Sequence, residues 1–181
     1  FLLGLSNTLV YSYYYFKKFY ETYPRSTLAE ECYYMYAYSL YLESPKHNLD
    51  QSSTYKAIDA ILNYISLFPS STRIAESNKQ LDELRSKIIL KDYNGSKLYY
   101  KLEHYKAAVI SFSNFLEDFP SSEFDEEITF LKTDAQYKLA KESVESRKKE
   151  RYQLALSYYE NFIDKYPGSK RIKQAEGIYD N

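Results

Sequence analysis

The chain has no tryptophan and is poor in several residues that other folds need: one Cys, one Met, two His, four Gly and five Pro in 181 residues. A single cysteine, Cys32, permits no internal disulfide, so cysteine usage says little about compartment. Within Glu31-Cys32-Tyr33-Tyr34-Met35 it reads as a buried, inert thiol. His47 and His104 are far apart, neither has a Cys or His at metal-ligand spacing, and both read as loop or surface residues; no metal site is expected. No G-x-x-x-x-G-K motif is present, so there is no phosphate-binding loop of that type. So few glycines also leave little room for glycine-built β-turns, and a nearly all-helical chain is expected. No stretch approaches the roughly 20 apolar residues of a membrane-spanning helix. A formal net charge of −1 argues against a general nucleic-acid binder, which usually shows a basic excess. With no catalytic constellation in view, neither an enzyme nor a cofactor is expected.

What the chain has in excess is aromatic rings, 23 Tyr and 10 Phe. They punctuate a repeat. Tyr23-Pro24-Arg25-Ser26, Phe68-Pro69-Ser70-Ser71, Phe119-Pro120-Ser121-Ser122 and Tyr166-Pro167-Gly168-Ser169 are four versions of one turn, their prolines separated by 45, 51 and 47 residues. Eight residues before each proline stand Phe16, Ile61, Phe112 and Tyr159; five before, Phe19, Tyr64, Phe115 and Phe162; four before, Tyr20, Ile65, Leu116 and Ile163. Twelve before stand Ala57, Ala108 and Ala155, with Ser12 in the first copy. The 3,4 spacing is one buried helical face, and the small residue allows close helix–helix approach. Proline then stops the helix. An internal repeat of this length implies stacked helix pairs. A minimal tetratricopeptide unit has about 34 residues, so each repeat carries roughly three to five extra helical turns or inserted loops.

In order, 1–8 reads as the tail of a helix whose beginning is missing. Phe1-Leu2-Leu3-Gly4-Leu5 lacks a charged n-region and a cleavage site, so it is not a signal peptide; the chain starts without Met and in mid-pattern, which reads as a truncated or processed form. Helices are expected over about Val10–Thr22, Thr27–Leu42 with Glu30 closing a capping box, and Asp50–Leu67 after the loop Ser44–Leu49. The span from Ser71 to His104 has no proline, and Ile74, Leu81, Leu84, Ile88, Leu98 and Leu102 trace one long helix or two in tandem. Gly95 reads as a mid-helix glycine rather than a hairpin turn, since no alternating strands flank Asn94-Gly95. After the helix at Tyr105–Phe119, Ser122 with Asp125 suggests a capping box for a helix from Glu123 to about Val144. A turn is expected at Ser146–Glu150, then helices over Tyr152–Lys165 and Ser169–Tyr179.

Glu117, Asp118, Glu123, Asp125, Glu126 and Glu127 form an acidic patch that reads as a solvated face with charge at a helix N-terminus. Arg147-Lys148-Lys149 and Arg151 read as a solvated turn, with lipid headgroups or a partner as the alternative. The rings of Tyr33, Tyr34, Tyr36, Tyr38 and Tyr41 run most of the way round their helix, so some of them are expected outside the core. Surplus tyrosines on a concave solenoid face would suit peptide capture.

Tyr105-x-x-Ala108-x-x-x-Phe112 … Pro120 and Tyr152-x-x-Ala155-x-x-x-Tyr159 … Pro167 resemble the tetratricopeptide consensus. Taken with Tyr23–Glu31, Leu49-Asp50-Gln51 followed by Thr54 and Ala57-Ile58, Leu84-Arg85-Ser86-Lys87 and Leu98-Tyr99-Tyr100-Lys101, the chain resembles the BamD family of outer-membrane β-barrel assembly lipoproteins. Ser44-Pro45-Lys46-x-Asn48-Leu49-Asp50-Gln51 and Glu150-Arg151-Tyr152 are similar to its Bacteroidetes type. The family's lipobox cysteine and the first helix of its first repeat are absent from this sequence. The resemblance implies an all-α fold, a right-handed superhelical stack of elongated tetratricopeptide-like helix pairs forming a single solenoid over 1–181. It also implies a non-enzymatic periplasmic scaffold at the outer membrane of a Gram-negative bacterium. The implied partners are the POTRA domains of a BamA-like insertase and unfolded outer-membrane protein precursors, with membrane association through a lipid anchor not carried by this sequence. The candidate partner-facing residues are Tyr36, Asp50, Gln51, Tyr99 and Tyr100, with an N-cap role for Asp50 and core packing for the tyrosines as the structural alternative. A TolA-binding, CpoB-like envelope adaptor shares the Phe-x-x-x-Tyr-Pro-x-Ser turns but would not be expected to carry the Asp-Gln and Leu-Arg-x-Lys elements. A SusD-like glycan-binding lipoprotein is disfavoured by the absence of Trp and the short chain.

Overall fold

Proline ends a helix in the same way four times in this chain. The computed structural model describes residues 13–179, and its helices are α1 (13–22), α2 (Ala29–Glu43), α3 (Ser52–Leu67), α4 (Ile74–Lys101), α5 (Tyr105–Asp118), α6 (Asp125–Lys141), α7 (Glu145–Lys165) and α8 (Ile172–Tyr179). The described residues contain no strand. At each turn the residue before proline donates its N–H to the carbonyl four residues back: Tyr23 to Phe19 (2.8 Å), and Phe68 to Tyr64, Phe119 to Phe115 and Tyr166 to Phe162 (each 2.9 Å). Phe68, Phe119 and Tyr166 share φ near −128° and ψ near 60°. The rings of the same residue pairs tilt against one another at 5.3, 5.5, 5.3 and 5.6 Å between centroids. One helical turn brings such pairs together, and proline prevents the next hydrogen bond.

The helices that follow begin later than expected, and neither capping box forms. Leu28 and Phe124 occupy the N-cap positions of α2 and α6, without side-chain caps. The turn serine accepts from the N–H two residues on, as Ser26 does from Leu28 (3.2 Å), Ser71 from Arg73 (3.2 Å) and Ser169 from Arg171 (3.0 Å). This local bond competes with a helical cap at N3. It leaves the acids free for other partners: Glu30 accepts from the Tyr64 hydroxyl at 3.3 Å, and Asp125 binds Lys165 at 2.7 Å. The third turn differs. The Tyr64 hydroxyl bonds Ser71 Oγ at 2.7 Å, but the matching Phe115 has no hydroxyl, and Ser122 Oγ is buried without a partner.

The chain divides into two compact units at Lys91/Asp92, within α4. In the first, Ala37 and Leu40 of α2, Ala57, Ala60 and Ile61 of α3, and Leu81 and Leu84 of α4 form one core cluster. A second, aromatic cluster joins Tyr33, Tyr34 and Tyr64, with Tyr20, Tyr36, Tyr38 and Phe68 packed on it. As expected, the five α2 tyrosines divide: Tyr33 and Tyr34 are buried in the core, while Tyr36, Tyr38 and Tyr41 are half-buried against its outside, and none is exposed. Partners on α1, α3 and α4 cover them. Tyr33 packs on Tyr20 and Tyr64, and Tyr34 receives a hydrogen bond from Gln80. Tyr41 donates to Glu83, which pushes its pKa up to about 12. Cys32 is half-buried rather than buried, and burial and the neighbouring Glu31 raise its pKa.

In the second unit α5 packs against α6, α6 against α7, and α8 closes against both. Ala57, Ala108 and Ala155 are all buried, as the repeat spacing requires, while Ser12 lies outside the described residues, as do segment 1–8 and the expected helix start at Val10. The expected turn at 146–150 is instead the first part of α7, with Val144 at the N-cap and a Lys148–Glu145 ion pair of 3.1 Å on its first turns. No Gly or Pro interrupts this segment, so nothing opposes helix there.

α4 is one helix through Gly95, but its buried face is not one stripe. Leu81, Leu84 and Ile88 are buried, then Tyr93 and Ser96, with Tyr100 half-buried. The second set lies about a third of a turn round the axis from the first at 100° per residue. Leu98 and Leu102, expected to continue the first stripe, are therefore 54% and 55% exposed. The helix ends with His104 N–H on the Tyr99 carbonyl and Glu103 N–H on Tyr100, both 3.0 Å, with Glu103 at φ 60°. This is the αL ending that usually takes glycine. A Cβ on Gly95 meets nothing within 4 Å. Gly95→Ala is therefore expected to raise stability by about 1 kcal/mol, and Glu103→Gly by up to about 1 kcal/mol. Urea unfolding midpoints test both; a loss from Glu103→Gly would contradict the αL cap.

Candidate functional site

The five candidate residues are divided between the two units. Asp50 and Gln51 share the loop before α3, Tyr36 lies in the aromatic cluster of the same unit, and Tyr99 and Tyr100 are near the end of α4 in the second unit. Tyr36 stands edge-on to Tyr33 at 5.6 Å and under Lys17 at 5.7 Å; burial raises its pKa. Tyr100 is half-buried against Tyr105 and Phe112, donates to Asp134, and receives a 2.6 Å hydrogen bond from Lys138. Burial would lower the Lys138 pKa, but hydrogen bonds to Asp134 and Tyr100 outweigh it and raise it. Tyr99 is 46% exposed and lines a cleft of about 290 Å³ with Gly95, Phe115, Phe119, Asp92 and Asp118.

The loop 44–51 has the densest polar geometry. Gln51 is only 3% exposed. Its Nε2 donates to the carbonyls of Lys46 (2.8 Å) and Leu49 (3.1 Å), and its Oε1 accepts from Thr54 Oγ1 at 2.7 Å. Thr54 in turn contacts Ser44 Oγ at 2.8 Å. Two lysines of α4, one turn apart, reach the same loop: Lys87 Nζ bonds Ser44 Oγ at 3.0 Å and Lys91 Nζ bonds the Leu49 carbonyl at 2.8 Å. The Asp-Gln and Leu-Arg-x-Lys elements, apart in sequence, are thus one clasp, with Leu84 in the core beneath it. Sequence reasoning missed this function of Lys87 and Lys91; their i,i+4 spacing was the available signal. The side-chain polar groups of Gln51 are spent inside the clasp. Asp50 is exposed, accepts from Ser52 N–H at 3.0 Å, and has a lowered pKa through its bonds to Ser52, helped by Lys91. Beside it Leu49 is 54% exposed. The clasp therefore holds one apolar and one anionic side chain out to solvent.

Half of the acidic patch is consumed by structure. Buried Asp125 pairs with Lys165, Glu127 pairs with Lys97 at 2.8 Å and Arg171 at 3.5 Å, and Glu126 accepts from Ser169 at 2.6 Å. Burial pushes the Asp125 and Glu127 carboxyls up, but the hydrogen bonds and charges of Lys165 at the first and Lys97 at the second outweigh it and lower both. Glu117, Asp118 and Glu123 are exposed. Of the basic group, Lys148 pairs locally and Arg151 donates to Ser143. His104 is exposed at the N-cap of α5 and His47 is half-buried in the loop. Among the described residues no group of three His, Cys, Asp or Glu is arranged to hold a metal ion, and no helix is long and apolar enough to cross a membrane.

Compared with known proteins, residues 6–150 match the model of the YfiO family, described as outer membrane lipoprotein. No curated protein matches the chain.

Gln51→Ala should cost about 1–3 kcal/mol, because it strands the Lys46 and Leu49 carbonyls and the Thr54 hydroxyl. Urea unfolding measures it, and a neutral result would refute the clasp. A second expectation concerns acid. Because Asp125 and Glu127 titrate lower in the folded state, their contribution is complete above the ordinary carboxylate range, about pH 4, and is lost as pH falls through their lower folded values. Thermal midpoints should drop on acidification below that range, and Asp125→Asn should flatten part of the drop; an identical slope would exclude the pair as its source.

Proposed function

The chain belongs to the YfiO family of outer membrane lipoproteins, and from that premise we propose that it is a BamD-like, non-enzymatic scaffold of the β-barrel assembly machine, of the Bacteroidetes type. It acts at the periplasmic face of the outer membrane. It docks the POTRA domains of a BamA-like insertase and engages unfolded barrel precursors as one repeat array over 1–181. The mechanism is binding rather than chemistry. The observation that carries this reading is the clasp. Gln51, Lys87 and Lys91 fix the loop from within, so Leu49 and Asp50 are presented with little ordering entropy left to lose on association.

An exposed leucine beside a carboxylate suits a partner surface that offers an apolar depression and a basic or N–H donor group. Tyr99 on its cleft is the second contact of this reading, since a half-exposed tyrosine supplies area and a polar tip at small entropic cost. Tyr36, Gln51 and Tyr100 act as supports: each holds neighbouring elements in place and contributes to docking through them.

Calorimetric titration of the protein with the purified periplasmic domains of the source organism's own insertase, at two salt concentrations, tests the proposal. Saturable binding is expected, weakened about tenfold or more by combining Leu49→Ala with Asp50→Ala, with helicity unchanged. Absence of binding by the folded protein would move the assignment to a CpoB-like envelope adaptor.

A further inference from the structure

A small cleft on the second unit, between α6 and α7 with the end of α5 at its edge, has a volume of about 220 Å³ and is lined by Leu116, Thr129, Lys132, Tyr158, Asn161 and Lys165, among others. It holds two lysines and no carboxylate. Lys165 is already paired, with Asp125 at 2.7 Å. Lys132 is not: it is half-buried, and among the described residues it has no ion pair or hydrogen bond. Its single polar compensation is the face of Tyr158, with Nζ 4.3 Å from the ring centroid.

That is an unusual state for a lysine in this protein. Lys97, Lys138 and Lys165 each have a carboxylate, and their pKa values are raised. Burial alone lowers that of Lys132, with no opposing charge to restore it. A half-desolvated ammonium without an anion is costly, and a cation–π contact offsets only part of that cost. The hydroxyls of Thr129 and Thr133 donate to carbonyls of their own helix, at 2.7 and 3.1 Å, and so offer no fixed donor to a ligand. Asn161 is exposed at the rim and carries an amide donor. Leu116 supplies an apolar wall.

We propose that this cleft is a carboxylate-binding site for one Asp or Glu side chain of a protein partner, in which Lys132 supplies the counter-charge, Tyr158 and Leu116 the walls that hold the partner's methylene groups, and Asn161 an amide hydrogen bond. The volume suits one side chain, and the charge of the lining selects an anion. This assignment rests on the scaffold reading for the identity of the partner, but the site stands on its own residues.

The test uses the same insertase domains with wild type, Lys132→Met and Lys132→Arg. The expected result is binding weakened at least about tenfold by Lys132→Met and largely retained by Lys132→Arg. The thermal midpoint of Lys132→Met should be unchanged or raised, since an uncompensated charge has been removed. A merely structural lysine would lower the midpoint and spare binding. Should Lys132→Met not fold, Lys132→Gln takes its place. Wild-type binding that these variants leave intact overturns the site and leaves the scaffold reading untouched. If wild type does not bind at all, the scaffold reading fails, and an NMR titration with N-acetyl-glutamate amide decides the site alone. Saturable shifts of the Tyr158 ring, absent with N-acetyl-glutamine amide and lost in Lys132→Met, uphold it; no shifts overturn it.

Discussion

Everything in this molecule depends on how a helix is stopped without glycine. In each repeat an aromatic ring one helical turn before another, Phe19 and Tyr23, Tyr64 and Phe68, Phe115 and Phe119, Phe162 and Tyr166, clamps the last turn while proline removes the next donor. The ring pair buries apolar area at the very residues whose backbone changes direction. The chain therefore leaves the helix along a fixed path and returns against it. The alanine seven residues before the first ring of each later pair is buried, so a larger side chain there would overpack the core.

From that constraint follows the use of polar residues as struts. Turns built with serine carry hydroxyls that glycine loops would not, and polar groups at and beside them are matched by neighbouring elements: Glu30 and Ser71 with Tyr64, Glu126 with Ser169, Asp125 with Lys165. The clasp over loop 44–51 is the same device on a larger scale. Gln51 closes the loop on itself, and Lys87 and Lys91 tie it to α4. Against this background of paired groups, Lys132 in its cleft stands out.

Much of the fold was legible in the sequence, because it is carried by hard local rules. Proline positions, the 3,4 apolar spacing and the small residue twelve before proline depend on the backbone and on one helix face, and the order and approximate bounds of the helices follow from them. The ends of helices were less legible. Thr27 with Glu30 and Ser122 with Asp125 carry the letters of a capping box, yet neither box forms: Ser26 takes the Leu28 N–H two residues on, and Ser122 Oγ is left without a partner. Asp125 found Lys165, forty residues away. α4 stops at Glu103 in a left-handed conformation that no glycine announced. The candidate site divided in the same manner: Asp50 was readable as a surface acid at a helix start, while the inward turn of Gln51 depends on Ser44, Thr54 and the lysines of α4.

The sequence by itself therefore determined that the chain would be helical, where proline would end its helices, and which face of α3, α5 and α7 would be buried, since these follow from periodicity and from the chemistry of proline. Tertiary structure alone decided which polar residues are struts and which remain available. Gln51 and Asp50 are polar neighbours, and Tyr99 and Tyr100 are neighbouring tyrosines; in each pair one points inward and one to solvent. The physical reason is that a polar side chain gains from whichever partner comes within about 3 Å, and across these distances in sequence only the folded packing of the helices brings partners that close.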